Sequence, residues 1–240
     1  VKRGKTLVKL TAPDTDDFGV IALSPDGGKL AVSVGGAIRV YTLGGKKKGK
    51  GKNKELPFMA LKGHEGEIKA LSFDKEGTTL ASAGADGVKL WSSETSNNIG
   101  DLAKGKACLD VALSPVDGTI AALFKEGLKV FDRTSQKANK LKPVADKGLK
   151  RVIWSPSGKS LVIRTGEGKI LFLAADGALK TSKEGFADDS AYGLAHGGKV
   201  LIGGKSDKEI KGFLAATGKL QWTITGPATV AFMAVAGNIL

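Results

Sequence analysis

The histidine at position 64 is the side chain of this sequence best suited to chemistry, because two carboxylates follow it closely. It lies in the stretch KGHEGEIKAL, residues 62–71, with Glu65 beside it and Glu67 two residues further on. A histidine among carboxylates can serve as a general base or as a metal ligand. Catalysis and metal binding are therefore the two alternatives to a purely structural role for His64.

Both chemical alternatives fit the pattern poorly. A zinc-protease helix needs a second histidine four residues after the first, but that position is Ile68, and Gly66 disfavours a helix. The second histidine, His196, lies in LAHGGK, a pattern typical of a turn between strands. The sequence contains no nucleophile motif and no Gly-x-x-x-x-Gly-Lys-Ser/Thr phosphate loop. We therefore expect no catalytic residue, no metal and no cofactor, and architecture as the role of His64.

Two other reactive residue types have simpler interpretations. The single cysteine, Cys108, lies in the apolar run ACLDVALSP, which predicts a small buried side chain rather than a reactive thiol. A chain with one cysteine also suits a reducing compartment. The pair Asp188–Asp189 falls in a connection before the fifth repeat described below, where we expect a polar loop rather than a cation site.

The elements that must hold these side chains repeat along the chain. The end of one apolar run recurs at spacings of 50, 40, 41 and 40 residues, at Leu23, Phe73, Leu113, Trp154 and Leu194. The aromatic residue of a later run recurs at spacings of 50, 40, 41 and 41 residues, at Tyr41, Trp91, Phe131, Phe172 and Phe213. Because the two series agree, the sequence predicts a repeat of about 40 residues, with an insertion in the first.

Short β-rich runs separated by turn residues fill each repeat. The second repeat contains EIKALSF (67–73), TTLASAG (78–84), GVKLWSS (87–93) and a weaker run near NNIGDLA. The apolar runs show no helical period, and several are apolar on both faces, as expected of sheets covered on both sides. The predicted fold is all-β, a β-propeller of four-stranded antiparallel blades.

The second repeat resembles a blade of the WD-repeat family. The matching positions are Gly63, His64, Ser82, Asp86, Gly87, Leu90 and Trp91. The aspartate that usually ends the motif is replaced by Ser92 here, whereas the third repeat has Asp132 in KVFD.

The resemblance implies a hydrogen-bonded structural tetrad, made of His64, Ser82, Asp86 and Trp91. The chemistry is consistent with such a tetrad, since Asp86 can accept one imidazole N–H. The Ser82 hydroxyl can then link the other ring nitrogen to the indole N–H of Trp91.

We expect residues 1–240 to form one propeller domain, with five recognisable repeats and a partial sixth. Phe232, in TVAFMAVAGNIL, falls 38 residues after Leu194 and begins that sixth repeat. The run KTLVKLTAP (5–13) is interpreted as the outer strand of a blade completed from the far terminus, as in the family it resembles. The domain is then incomplete at its C-terminus and part of a six- or seven-bladed ring. A five-bladed ring with tails is the alternative.

Basic residues dominate the charge. The net charge of +13 favours polyanionic partners, and residues 44–57, GGKKKGKGKNKELP, form a basic insertion predicted to be mobile. Its six lysines are Lys46, Lys47, Lys48, Lys50, Lys52 and Lys54. Two interpretations stay open, an electrostatic arm for RNA, DNA or an acidic surface, and a tolerated solvated insertion. Further contact candidates, predicted at strand ends, are Arg39, Lys62, Lys104, Lys147 and Arg151.

Three functions are compatible with such a propeller. The first is a noncatalytic protein–protein interaction scaffold, a subunit of a larger complex, which the resemblance implies. The second is a basic subunit associated with RNA or ribonucleoprotein. The third is a propeller-type guanine nucleotide exchange factor for a coat-recruiting small GTPase, similar in its HEG stretch and with a membrane anchor outside this chain. No apolar run of this chain is long enough to span a membrane. The expected location is the cytoplasm, with the nucleus and the cytosolic face of the endoplasmic reticulum as alternatives.

Overall fold

The structure is a computed structural model that describes part of the 240-residue chain. The described residues are 10, 17–43, 56–142, 144, 148–183, 192–195, 200–205, 209–214 and 219–225. Every regular element within these ranges is a β-strand, and the strands form five antiparallel sheets in which each strand pairs with the next along the chain.

The first two sheets each contain four strands. The strands of the first sheet are β1 (Phe18–Leu23), β2 (Lys29–Val34), β3 (Ala37–Thr42) and β4 (Phe58–Lys62). The strands of the second sheet are β5 (Ile68–Phe73), β6 (Thr79–Gly84), β7 (Gly87–Ser92) and β8 (Asn98–Leu102). The four runs predicted in the second repeat therefore correspond to four strands.

The third sheet has three strands, and the fourth and fifth have four each. The third consists of β9 (Cys108–Leu113), β10 (Ile120–Phe124) and β11 (Gly127–Phe131). The fourth consists of β12 (Leu149–Trp154), β13 (Ser160–Thr165), β14 (Ile170–Ala174) and β15 (Leu179–Lys183). The fifth consists of β16 (Tyr192–Ala195), β17 (Val200–Lys205), β18 (Glu209–Leu214) and β19 (Leu220–Thr225).

The third sheet departs from the predicted four strands. In place of a fourth strand, a single antiparallel β-bridge joins Phe131 and Ala138. The segment after β11, DRTSQKANKLK, is rich in lysine and polar residues, which are depleted in strands. Its end is held elsewhere, because the Lys142 N–H donates to the Asp176 carbonyl of the fourth sheet over 3.0 Å.

The sheets lie side by side as blades, with their first strands neighbouring one another. Strand β1 contacts β5, β5 contacts β9, and β9 contacts β12. An apolar cluster fills each space between successive blades among the first four. This radial stacking of meander sheets is the architecture of a β-propeller, so the predicted fold class is confirmed.

The middle strands are buried on both faces. Every residue of β6 and of β10 is buried, and alanines such as Ala81, Ala83 and Ala121 are fully enclosed. Small side chains at these positions let adjacent blades approach closely, while larger ones such as Trp91 and Leu80 fill the space between them. The uniformly apolar runs of the sequence therefore reflect sheets covered on both sides.

The turn after the first strand repeats from blade to blade. A glycine N–H donates to the carbonyl of a residue three or four positions earlier, as in Gly77 to Asp74 over 3.1 Å. Gly77 has φ +67°, a left-handed conformation that glycine adopts without steric cost. The same turn glycine recurs at Gly27, Gly118 and Gly158.

Several predicted features lie outside the described residues. They are most of the N-terminal run 5–13, the lysine-rich residues 44–55, the Asp188–Asp189 pair, His196 and the partial sixth repeat after residue 225. Of the N-terminal run only Leu10 is described, and it packs against Val32, Tyr41 and Leu56 on the first blade. The number of blades and the single domain over 1–240 stay predictions.

Candidate functional site

His64 lies in a buried chain of hydrogen bonds within the second blade. Its Nδ1 is 2.5 Å from Asp86 Oδ1, and its Nε2 is 2.6 Å from Ser82 Oγ. Trp91 Nε1 donates to the same Ser82 oxygen over 2.8 Å. The partners are consistent when Asp86 accepts the Nδ1 proton, His64 Nε2 accepts from the hydroxyl, and the hydroxyl accepts from the indole. The structure thus brings the four residues of the tetrad together.

Two strands and two connections position this tetrad. His64 lies between β4 and β5, Ser82 is in the middle of β6, Asp86 is in the turn between β6 and β7, and Trp91 is near the end of β7. The fit leaves no room at Gly84, where an added Cβ would lie 2.9 Å from His64 Nδ1. Gly84, the last residue of β6, therefore leaves space for the His64 ring and does not belong to a phosphate loop.

The aspartate of the tetrad is held in its charged form. Burial opposes ionisation of Asp86, but the hydrogen bond and the electrostatic attraction of His64 outweigh it, so the pKa of Asp86 lies below its usual value. Lys89 adds a positively charged neighbour, with its Nζ 3.5 Å from Asp86 Oδ2 and 3.1 Å from Asp101 Oδ1. The network therefore extends from the blade's entry loop to its outer strand β8.

The chemistry open to His64 is limited by its surroundings. Its side chain has no exposed surface, and each ring nitrogen has a partner within 2.6 Å. A general base or metal ligand needs a nitrogen that can reach a substrate or an ion. Within the described ranges, no group of three or more His, Cys, Asp or Glu side chains could hold a metal ion.

Those ranges also contain no helix long and apolar enough to cross a membrane.

Comparison with known families agrees with this geometry. Residues 56–92, which run from just before β4 to the end of β7 and include the tetrad, match the family model "WD domain, G-beta repeat". This segment is a WD repeat. The resemblance first drawn from seven residues of the second repeat is therefore confirmed.

A solved β-propeller structure is similar to most of the chain. The β-propeller domain of Cps50 (Swd1) from Myceliophteria thermophila matches with a TM-score of 0.71. The sequence identity is 17 %, and the match covers 87 % of this chain and 71 % of that one. A likeness at this identity concerns the fold alone. Among curated proteins no match was found.

Beyond the WD repeat, buried polar contacts join one blade to the next. Asp110, in the middle of β9, accepts the Val152 N–H of β12 through Oδ2 over 2.6 Å, and Arg151 Nε lies 3.7 Å from the same oxygen. Burial raises the pKa of Asp110 to about 6 despite these partners. Nothing in the sequence pattern identified Asp110 beyond its being an aspartate within the apolar run CLDVAL.

Other joints of this kind link the first three blades. Arg133, after β11, pairs with Asp74 of the WD repeat over 3.2 Å. The Ser72 hydroxyl of β5 accepts the Leu113 N–H of β9 over 3.0 Å. Lys29 of the first blade donates to the Gly77 carbonyl over 3.0 Å. The described blades are therefore cross-linked by directional bonds as well as by apolar packing.

The prediction that five basic residues lie at strand ends is wrong for two of them. Arg39 lies in the middle of β3, where it pairs with Val32 of β2, and its guanidinium lies 4.6 Å from the Phe58 ring centroid. Arg151 is the third residue of β12 and is largely exposed. The error arises because each strand continues for three residues beyond the charge. Lys62 ends β4 and Lys104 lies just after β8, as predicted, whereas Lys147 is outside the described residues.

A groove of about 440 Å³ lies along the outer edge of β11, where the third sheet has no fourth strand. Its walls combine apolar side chains, Leu128 and Phe131 among them, with Lys106 and Lys129. No motif in the sequence marks this groove, because it results from a missing strand.

Proposed function

We propose that the protein is a noncatalytic protein–protein interaction scaffold and a subunit of a larger complex, located in the cytoplasm. The observation that supports this proposal is a WD repeat within a propeller fold. Such a fold presents rigidly held loops and blade edges, on which binding residues are commonly found. Fold alone does not assign function, so the proposal needs a direct test of partners.

The buried tetrad favours the scaffold over an enzyme. Both ring nitrogens of His64 form hydrogen bonds within the blade. The cross-links between blades support rigidity, because Asp110, Arg133 and Lys29 each tie one sheet to its neighbour. A rigid platform reduces the entropy lost when a partner binds.

The test is affinity purification of the full-length protein from its own cells, with and without nuclease, followed by mass spectrometry. For a protein scaffold, we expect a fixed set of partner proteins in both samples. If the partners disappear after nuclease treatment, the scaffold proposal is wrong and the protein acts through nucleic acid.

A basic subunit associated with RNA or ribonucleoprotein is the second candidate. The net charge of +13 and the six lysines between Lys46 and Lys54 favour it. The purification distinguishes it from the scaffold, because its partners depend on nuclease. The exchange-factor alternative rests on the residues around His64 alone, and membership of the tetrad already accounts for that histidine.

A further inference from the structure

The outer edge of β11 is the one place among the described third strands of the first four blades where a neighbouring strand is nearly absent. In the second blade, β8 pairs with four residues of β7, and in the fourth blade β15 pairs with four residues of β14. Along β11, only Phe131 has such a partner, Ala138. The bridge is closed by two hydrogen bonds, from Asp132 N–H to the Lys137 carbonyl over 3.0 Å and from Asn139 N–H to the Val130 carbonyl over 2.7 Å.

After Asn139 the chain leaves this edge for the fourth blade. The Lys142 N–H donates to the Asp176 carbonyl, and the Lys142 ammonium lies 3.2 Å from the Asp176 carboxylate. Leu141 packs with the apolar cluster between the third and fourth blades. The described part of this segment therefore does not complete the third sheet.

Backbone groups of Leu128 face this open edge. Phe124 and Gly127 close a two-residue hairpin between β10 and β11, and hydrogen bonding alternates from there along an antiparallel pair. Leu128 and Val130 therefore direct their N–H and C=O groups away from β10, as the bond from Asn139 to the Val130 carbonyl confirms. Among the described residues, no backbone group pairs with Leu128 on this side. An unpaired strand edge is a template for another strand.

The side chains around the edge differ between its two faces. Towards the second blade lie Lys106 and Lys129, and the Lys129 Nζ lies 5.2 Å from the Phe124 ring centroid. Towards the fourth blade lie Leu128 and Leu141, which pack against the apolar cluster there. No carboxylate lines the groove. A strand added here would turn alternate side chains to the lysines and to the leucines.

We propose that the outer edge of β11 binds an extended segment of a partner protein in which acidic and apolar side chains alternate. The segment adds to the third sheet as a short fourth strand beside the hairpin end of β11, with its main chain bonded to the N–H and C=O groups of Leu128. Its carboxylates lie near Lys106 and Lys129, and its apolar side chains contact Leu128 and Leu141. The inference rests on the proposed scaffold function, for which it specifies one docking surface and the chemistry of the partner.

The first test uses the synthetic peptide acetyl-(Glu-Val)₃-amide with a fluorescent label, titrated with the full-length protein. The matched control peptide has the same side chains but N-methylated amides at alternate positions, which removes strand donors and keeps the charge. We expect the control to bind about tenfold more weakly, since it loses main-chain hydrogen bonding to Leu128. Equal binding of the two peptides would contradict strand addition.

Two protein variants separate the groove from general charge attraction. Lys106→Glu reverses an exposed charge at the groove, whereas Lys75→Glu reverses an exposed charge in the turn between β5 and β6. Peptide affinity should fall several-fold in Lys106→Glu and stay near the wild-type value in Lys75→Glu. An equal loss in both variants would mean that the peptide only senses net charge, and the proposal would be wrong.

Amide hydrogen exchange tests the free edge directly. The Leu128 amide should exchange quickly in the unbound protein and slowly with the peptide. Val88 is the internal control, because it holds the same place after the hairpin in the WD repeat and pairs with Leu102 of β8. Strong protection of Leu128 without peptide would mean that this chain, or a second copy of it, already covers the edge. That outcome would overturn the docking site and leave the scaffold proposal to the purification experiment.

Discussion

At the scale of single residues, Ser82 connects His64 and Trp91 within the second blade. Its oxygen accepts from Trp91 over 2.8 Å and lies 2.6 Å from His64. Removing one member of such a buried chain deprives its neighbours of a hydrogen bond. The tetrad's contribution should therefore appear in stability.

We expect His64→Ala to lower the free energy of unfolding by about 1–3 kcal/mol, because Ser82 and Asp86 lose a buried partner. Urea denaturation of the full-length protein measures this change. Glu65→Ala is the matched control, since that side chain is the exposed neighbour of His64. If His64→Ala left the unfolding curve unchanged but abolished an activity, a chemical role for His64 would replace the structural one.

The buried aspartate between the third and fourth blades predicts a pH effect. The pKa of Asp110 is raised from an ordinary 3.8 to about 6 in the folded protein. Between these values the folded protein holds a proton that the unfolded chain releases. The protonated form's contribution is therefore complete below about pH 4 and is lost as the pH rises through about 6.

Asp110→Asn should remove this slope. The stability of the wild type relative to Asp110→Asn should fall by about 1–3 kcal/mol between pH 4 and pH 7. Thermal unfolding of both proteins at several pH values measures the difference. Asn can still accept the Val152 N–H, and Arg151, Arg164 and Cys108 remain in the variant as the neighbouring polar groups. Parallel pH profiles would show that Asp110 titrates normally.

At the scale of elements, the turn between β6 and β7 depends on close approach to the outer strand. Gly87 has φ +125°, and an added Cβ would lie 2.8 Å from the Leu102 carbonyl oxygen. Gly105 also has positive φ, +75°, but nothing lies within 4 Å of its Cβ position. The two glycines therefore separate backbone strain from steric contact.

Gly105→Ala should cost about 1 kcal/mol through its backbone conformation alone. Gly87→Ala should cost about 2–4 kcal/mol, because strain and a backbone contact add. Denaturant midpoints of the two variants measure the difference. Equal costs would show that β8 moves aside freely at Leu102.

The elements also show which parts of the fold a sequence can predict. First and third strands were located by residues such as Phe73 and Trp91, because interior positions must be apolar and recur at fixed spacing. Outer strands are half-exposed and carry no such pattern, so the missing strand after Phe131 was not predicted. Asp110 was missed for another reason, since its partner Val152 lies 42 residues away in sequence. Tertiary contacts of this kind leave no periodic signal.

At the scale of the whole molecule, the surplus of basic residues predicts salt-dependent binding of polyanions. Replacing the six lysines between Lys46 and Lys54 by Gln leaves a net charge of about +7. If this segment contacts phosphates, the slope of log affinity for single-stranded RNA against log salt should fall by up to about 4. Fluorescence anisotropy at several salt concentrations measures the slope.

The control for this experiment replaces six exposed lysines elsewhere in the chain by Gln. Suitable residues are Lys69, Lys75, Lys125, Lys137, Lys150 and Lys159. The segment variant should lose more of the slope than this control. An equal loss would assign RNA binding to the overall charge, and no binding by the wild type would remove the RNA candidate.

The order in which the blades contact one another has a consequence for synthesis on the ribosome. Strand β1 contacts β5, β5 contacts β9 and β9 contacts β12, so each of these contacts joins sheets that are consecutive in the chain. A nascent chain can therefore dock every new sheet, up to the fourth, on the one made just before it. Each apolar face among these four sheets is therefore covered after about one further repeat has been translated. At ordinary elongation rates this takes only seconds.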